Sequence, residues 1–275
     1  MTDTPSSAGW TNRLLVLLTL VLILATCVPS TMISLPWDIT IRLPADMYKA
    51  MPWAMLILLP PAIQFGDVRT VQLVLLFLAE WVLPRIVPDN QPFLVGKCDY
   101  VLLYLYIALL IAPIRRSLDW MRVGQWSRSM LIFAAVVIPL SAGGLIGWVH
   151  FTRPSLAEHA QKLPQLSHGM FAVYMGGFAI INALQEEIVW RGVVMGALDS
   201  AIGAGIFSVI IQAAIFGMAH FRGGFPSGWS GAALAGSFGL AMGLLRRYTR
   251  GLLLPWIVHS AADFVVISLI VHYAS

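Results

Sequence analysis

Apolar residues in this chain come in long runs, separated by short clusters that hold most of the charge. A membrane-spanning helix needs about 20 mostly apolar residues. The first run of that kind extends from Leu14 to about Pro36. Others cover about 51–66, 70–88, 100–114, 130–149, 169–198, 202–221, 230–245 and 252–272. The pattern predicts an all-α, polytopic transmembrane helix bundle of about eight or nine spans. Two runs are irregular: 51–66 is short and carries Pro60-Pro61, while 70–88 holds Glu80 and ends in Pro84 and Arg85. Together they could form one bent hairpin. A single basic residue, Arg13, precedes the first run, which is longer than the apolar region of an ordinary signal peptide. Leu24-Ala25-Thr26-Cys27 has some likeness to a lipoprotein cleavage box, but Thr26 is large for the position before the cut. An uncleaved first span is therefore expected.

Composition agrees with this pattern. Of 275 residues, 59% are hydrophobic and 11% charged, against about 25% charged in a soluble domain. The mean hydropathy is +0.81. A soluble globule lacks the polar surface it needs, and disorder would require low hydrophobicity and high charge. Two cysteines, Cys27 and Cys98, make neither a disulfide framework nor a four-cysteine zinc site. The net charge is +4, but there is no basic stripe with interleaved aromatics, so nucleic-acid binding is not expected. Arg115, Arg116, Arg122 and Arg128 cluster in one connection, and Arg246, Arg247 and Arg250 in another. Both connections should be cytoplasmic, which puts the N-terminus inside and the C-terminus and segments 37–50, 89–99 and 150–168 outside. Glycines are dense from Gly192 to Gly243, and small residues let membrane helices approach closely. The expected organisation is one integral membrane unit. Residues 1–168 form N-terminal helices with loops, as a looser lipid-facing addition, and residues 169–275 form a tight helix bundle. Compactness and the lack of eukaryotic targeting signals point to a bacterial inner membrane.

Charge at the bilayer centre costs on the order of 2.5–3.5 kcal/mol on insertion scales, so such residues are functional candidates by default. In the C-terminal half they fall in three places. In Gln185-Glu186-Glu187-Ile188-Val189-Trp190-Arg191, Glu187 and Arg191 are four apart and share a helix face. Glu186 points about 100° away, so one carboxylate can be neutralised while the other is left to accept a proton. The bland alternative is a helix end meeting interfacial water. Phe216-Gly217-Met218-Ala219-His220 ends an apolar run, and His259-Ser260-Ala261-Ala262-Asp263 lies inside the last one, its His and Asp on one face. A packed histidine and a register-fixing His–Asp pair are the corresponding structural readings. Elsewhere, Glu80 snorkels or pairs with Arg85, and Asp199 caps a helix beginning near Ala201. His150, His159 and His168 are expected in solvent and His272 at the interface. Asn182 and Gln212 are expected to form interhelical hydrogen bonds.

Two glutamates, two histidines and an aspartate on three helices supply a general base, a second proton carrier and a polarising group. That set can activate water against a carbonyl. A serine nucleophile is not indicated, since Ser260 and His259 are adjacent helix positions that do not face each other. The HExxH zinc-protease helix is absent. By type, Glu186, His220, His259 and Asp263 are acceptable zinc ligands, so zinc stays open as a cofactor, although no spacing argues for a metal.

Glu186-Glu187-x-x-x-Arg191, Phe216-x-x-x-His220 and His259-x-x-x-Asp263, in this order on apolar helices, resemble the CPBP family of intramembrane proteases. That family includes the type II CAAX prenyl endopeptidases and the bacteriocin-processing or self-immunity proteins of the Abi group. The resemblance covers about residues 169–270. It implies an intramembrane endopeptidase acting on a membrane-embedded or lipidated peptide. It also implies that Glu186 and His220 activate water, that His259 and Asp263 stabilise the oxyanion, and that Glu187, Arg191 and Phe216 support them. Family members have been called metalloproteases, but a metal-free glutamate mechanism also fits the group and is preferred here. Asp263 departs from the Asn often found at its place. An ionised Asp only accepts hydrogen bonds, so either burial protonates it or it orients His259, which then carries the oxyanion role. Two other readings stand beside the peptidase: a non-enzymatic membrane scaffold or immunity-type protein, and a proton-coupled transporter, which ordinarily shows a paired repeat not seen here. One tension is geometric. From a helix start near Ala201, His220 would lie roughly 28 Å along, far from a mid-membrane His259.

Overall fold

The computed structural model describes residues 7–27, 33–34, 40–41, 47–87, 93–156, 163–164 and 166–274. Its N-terminal half holds α1 (Ser7–Cys27), α2 (Met47–Phe65), α3 (Val68–Ile86), α4 (Phe93–Leu110), the short α5 (Ala112–Arg116) and α6 (Arg128–Thr152). The C-terminal half holds α7 (His168–Glu187), a π-helical segment Ile188–Val194, α8 (Met195–Ile202), α9 (Ile206–Gly223), α10 (Gly228–Thr249) and α11 (Leu253–Ala274). A two-stranded antiparallel pair sets Ile33 opposite Ile41 and Ser34 opposite Thr40. The protein is an integral membrane helix bundle. By length and composition, Gly9–Cys27, Arg128–Thr152, Gly228–Thr249 and Leu253–His272 are each long and apolar enough to cross a membrane, and Asp99–Leu110 and Ile206–Arg222 are shorter apolar helices.

The irregular runs 51–66 and 70–88 do fold as a hairpin, α2 and α3. Asp67 caps α3 by accepting from the Thr70 amide at 2.8 Å. Asn12 of α1 holds the same corner, accepting from the Asp67 amide at 2.9 Å and the Thr70 hydroxyl at 2.6 Å. Arg85 turns to the Trp81 carbonyl rather than to Glu80.

The N-terminal helices are not a loose addition. Leu73 and Phe77 of α3, Tyr104 of α4 and Trp120 share one buried cluster with Trp190, Val194, Leu198 and Phe216. These helices therefore wall the π-helical segment, whose seven residues are all buried.

Both arginine clusters lie at one end of the bundle, as topology required. The Leu252 amide donates to the Arg122 carbonyl at 2.9 Å, and the Gln125 amide to the Thr249 carbonyl at 2.7 Å. Gly124 and Gly251 cross so closely that a Cβ on Gly251 would sit 2.3 Å from the Gly124 nitrogen. Asp199 is not a cap. It lies inside α8 and takes two bonds from Arg247, at 2.6 and 2.8 Å, and one from the Ser208 hydroxyl at 2.6 Å. A guanidinium offering a planar fork outcompetes a backbone amide for that carboxylate.

The glycine-dense region packs as expected. On α9, a Cβ at Gly217 would stand 2.5 Å from the Ala232 carbonyl oxygen and 3.0 Å from the Gly236 Cα, both backbone atoms of α10. A Cβ at Gly236 would meet nothing closer than 3.4 Å. Gly217→Ala should therefore push the two helices apart and cost about 1–3 kcal/mol, while Gly236→Ala on the same interface should be nearly neutral. Melting of both variants in detergent checks the contrast.

Candidate active site

Residues 168–202 form one continuous helical body, interrupted by the π-helical segment directly after Glu187. Such wide turns occur often at functional sites. Glu187 and Arg191 face each other across it, with Oε1 3.0 Å from Nη1 and neither side chain exposed. The approach is a charge contact rather than an aligned hydrogen bond, because Nη1 makes no hydrogen bond within the angular limits. Arg191 is held further by Nη2 donating to the Gly239 carbonyl at 3.4 Å. Its guanidinium carbon also sits 4.7 Å from the centroid of the Phe216 ring.

The same Glu187 oxygen accepts from His259 Nδ1 at 2.7 Å. Nδ1 therefore carries a proton, and Nε2 is the nitrogen turned toward Glu186 and Asp263. It stands 3.6 Å from Glu186 Oε2 and 3.8 Å from Asp263 Oδ1. Asp263 is too distant to orient the imidazole by a direct hydrogen bond. Glu187 does so instead, which makes it a direct partner of His259 as well as of Arg191. The rings of Phe238 and Phe216 fix the remaining faces, with centroids at 5.1 and 6.3 Å from that of His259.

Asn182, one turn before Glu186 on α7, joins the two outer carboxylates. Its Nδ2 lies 3.1 Å from Glu186 Oε1 and 3.0 Å from Asp263 Oδ2. Asn182 thus bridges helices as expected. Gln212 does not: it is fully buried and neither amide atom has a hydrogen-bond partner.

His220 reaches the same space from α9. Its Nδ1 lies 3.0 Å from the Phe216 carbonyl. A carbonyl only accepts, so Nδ1 carries the proton and Nε2 is an acceptor in the neutral ring. Phe216 packs on His220, with centroids 4.7 Å apart. Gly224 leaves room for the ring, since a Cβ there would fall 2.6 Å from it. The geometric tension disappears because α9 starts at Ile206, not near Ala201. That places His220 about 21 Å along the helix at 1.5 Å per residue.

Glu186, Asn182, His220, His259, Asp263 and Phe216 all line one cavity of about 440 Å³. Its remaining wall is mainly apolar and comes from α6, α7, α10 and α11, with Leu140, Met175, Phe178 and Ile267 among the contributors. Leu140 and Ser237 are also exposed on the bundle surface, so the cavity reaches the surface between α6 and α10. Of the expected site residues, Glu186, His220, His259, Asp263 and Phe216 line the cavity, and Glu187 and Arg191 lie behind them. Among the described residues no three His, Cys, Asp or Glu side chains converge in a way that could hold a metal ion. His150 is exposed, as is His272. His159 and the side chains of His168 and Cys98 lie outside the described residues.

Residues 168–265, which carry Asn182, Glu186, Glu187, Arg191, Phe216, His220, His259 and Asp263, match the family model of the Rce1-like type II CAAX prenyl endopeptidases. Over those residues the C-terminal bundle is similar to this family. In general class the protein is a CAAX-type intramembrane protease, and the family implies a membrane-embedded peptide substrate. No curated protein and no solved structure matches the chain. The sequence pointed to an interhelical bond from Asn182 but not to its two carboxylate partners, and it gave neither the π-helical segment nor Glu187 as the partner of His259. The i, i+4 spacing of Asn182 and Glu186 was the one available signal for the first of those partners.

Proposed function

We propose that this chain is an intramembrane endopeptidase of a bacterial inner membrane that cleaves a peptide bond with water activated by Glu186 and His220. The observation that supports it best is the convergence of Glu186, His220, His259 and Asp263 on one mostly apolar cavity. Glu186 takes a proton from water as the hydroxide adds to the scissile carbonyl carbon. The tetrahedral oxyanion forms in front of His259 Nε2. Because Nδ1 already donates to Glu187, only the imidazolium offers an N–H there, and Glu187 balances its charge. Collapse breaks the C–N bond, and the proton passes to the leaving amine from Glu186 or from His220, whose Nε2 exchanges protons. Asp263 is an acceptor beside this centre, so the oxyanion contact falls to His259. Leu73, Phe77 and Trp120 from the N-terminal half brace the π-helical segment and through it Arg191 and Glu187.

An apolar cavity open at the bundle side suits a substrate that approaches from the bilayer, lipidated or spanning. The test is purified wild type in detergent, incubated with a farnesylated CAAX peptide, its unprenylated counterpart and a membrane-peptide library, with cuts read by mass spectrometry. Cleavage is expected, and it should stay within about twofold in EDTA or 1,10-phenanthroline, whereas a metal-dependent enzyme is inactivated by chelation. A well-folded wild type that cuts nothing overturns the reading and favours the scaffold.

A further inference from the structure

Glu186 and Asp263 face one another across a small gap, and each has one oxygen toward His259 Nε2 and the other toward Asn182 Nδ2. An Asn amide nitrogen carries two hydrogens, and here each finds a different carboxylate. Amide, Glu186, imidazole and Asp263 thus close a ring of four groups. Two neighbouring carboxylates in a poorly solvated site tend to share a proton, since like charges disfavour joint ionisation and donated hydrogen bonds favour it. A protonated Glu186 is useless as a base.

We propose that Asn182 is a positioning residue whose amide clamps Glu186 and Asp263 as a pair of ionised carboxylates on either side of the His259 imidazole. The inference rests on the reading of Glu186 as the base. Several groups face Glu186 among the described residues. On its own helix they are Asn182, with Glu187 and Arg191 turned to the other imidazole nitrogen. From α11 come His259 and Asp263, and from α9 His220 across the cavity. From α6 and α10 come Ser141, Ser237 and Phe238, none of which titrates near neutral pH. Among the described residues Asn182 donates to both carboxylates, whereas the Ser141 and Ser237 hydroxyls donate to carbonyls of their own helices. Asn182→Leu removes that donor without adding charge. Asn182→Asp sets three carboxylates together, and Asp263→Asn added to it returns an amide to the opposite side of the same pair.

The first readout needs no substrate. Dicyclohexylcarbodiimide modifies protonated carboxyls in apolar surroundings, and mass spectrometry locates the adduct. Glu186 in wild type should resist labelling at pH 7, and in Asn182→Leu the labelling midpoint should move up by about one pH unit. In the cleavage assay the acid limb of kcat/KM should move by the same amount, so the variant regains rate as pH rises. Asn182→Asp should lose about 100-fold in kcat/KM, and the double variant with Asp263→Asn should return to within about tenfold of wild type. A merely structural role would lower activity at all pH values alike. If labelling and profile superimpose on wild type, the clamp is refuted. If Asn182→Leu fails to fold, the exchange pair decides, and no recovery in the double variant overturns the proposal. If wild type cleaves nothing, the peptidase reading fails while the labelling still decides the clamp.

Discussion

Glu186→Gln should lose cleavage by about 10³-fold or more while the protein melts as wild type does. General-base catalysis contributes about 10²–10⁴, and the amide can neither take the proton of water nor return it. Stability should hold within about 0.5 kcal/mol. The reason is geometric: the Glu186 side chain is 24% exposed toward the cavity, and a Gln oxygen still accepts from Asn182. Paired measurements of rate and melting separate the three readings. A scaffold would keep its function or lose its fold. A transporter would lose pH-dependent flux, not proteolysis. Glu187→Gln is the control one residue on. Its carboxylate is fully buried and meets Arg191 and His259 at once, so that variant should lose activity and fold together.

The candidate site residues were legible in the sequence because bilayers make charge conspicuous. In an apolar run, a Glu or Asp far from the ends stands out, and spacing of four assigns faces without a structure. Both i, i+4 inferences hold: Glu187 meets Arg191, and His259 lies beside Asp263. Which carboxylate serves which histidine was not legible. Glu187 reaches His259 from another helix, 72 residues away in sequence, and no spacing rule spans that distance. The π-helical segment was hidden for a related reason. Ile188–Val194 reads as ordinary apolar helix, and no residue pattern in it marks the wide turn that the structure shows.

The fold was legible to a similar depth. The bundle, the α2–α3 hairpin and the shared end of the two arginine clusters follow from hydropathy, proline placement and the positive-inside rule. The close α9–α10 approach follows from small residues. What hydropathy could not resolve was the inside from the lipid side. Leu73, Tyr104 and Trp120 bury against the C-terminal bundle, whereas the equally apolar Leu102, Tyr106 and Leu109 of α4 stay exposed on the surface. In a membrane protein both faces of a helix are apolar, so the periodicity that marks the core of a soluble protein is weak.

Arg191→Leu should cost about 3–5 kcal/mol, the penalty for breaking a buried ion pair by removing one partner. The arginine is 1% exposed, and three groups depend on it. Glu187 loses a cation 3.0 Å away and keeps a second oxygen that already has no hydrogen-bond partner. Phe216 loses the guanidinium over its ring, a contact worth about 2 kcal/mol when desolvated. His259 is then left to balance Glu187 alone, so its position shifts and activity falls with stability. Arg191→Lys should not rescue, because an ammonium cannot span the Glu187 carboxylate, the Gly239 carbonyl and the Phe216 face together. The informative variant is Glu187→Gln combined with Arg191→Leu. With the pair removed together no uncompensated charge remains, and the double variant should be more stable than the sum of the single losses by about 1–3 kcal/mol. Activity should not recover with it, since His259 still lacks its carboxylate. Melting curves and cleavage rates on the four proteins of the cycle read both halves. Stability that comes back without activity is the result that places Glu187 in the proton chemistry of His259 as well as in the fold, while strictly additive losses would show that the Glu187–Arg191 contact carries no coupling at all.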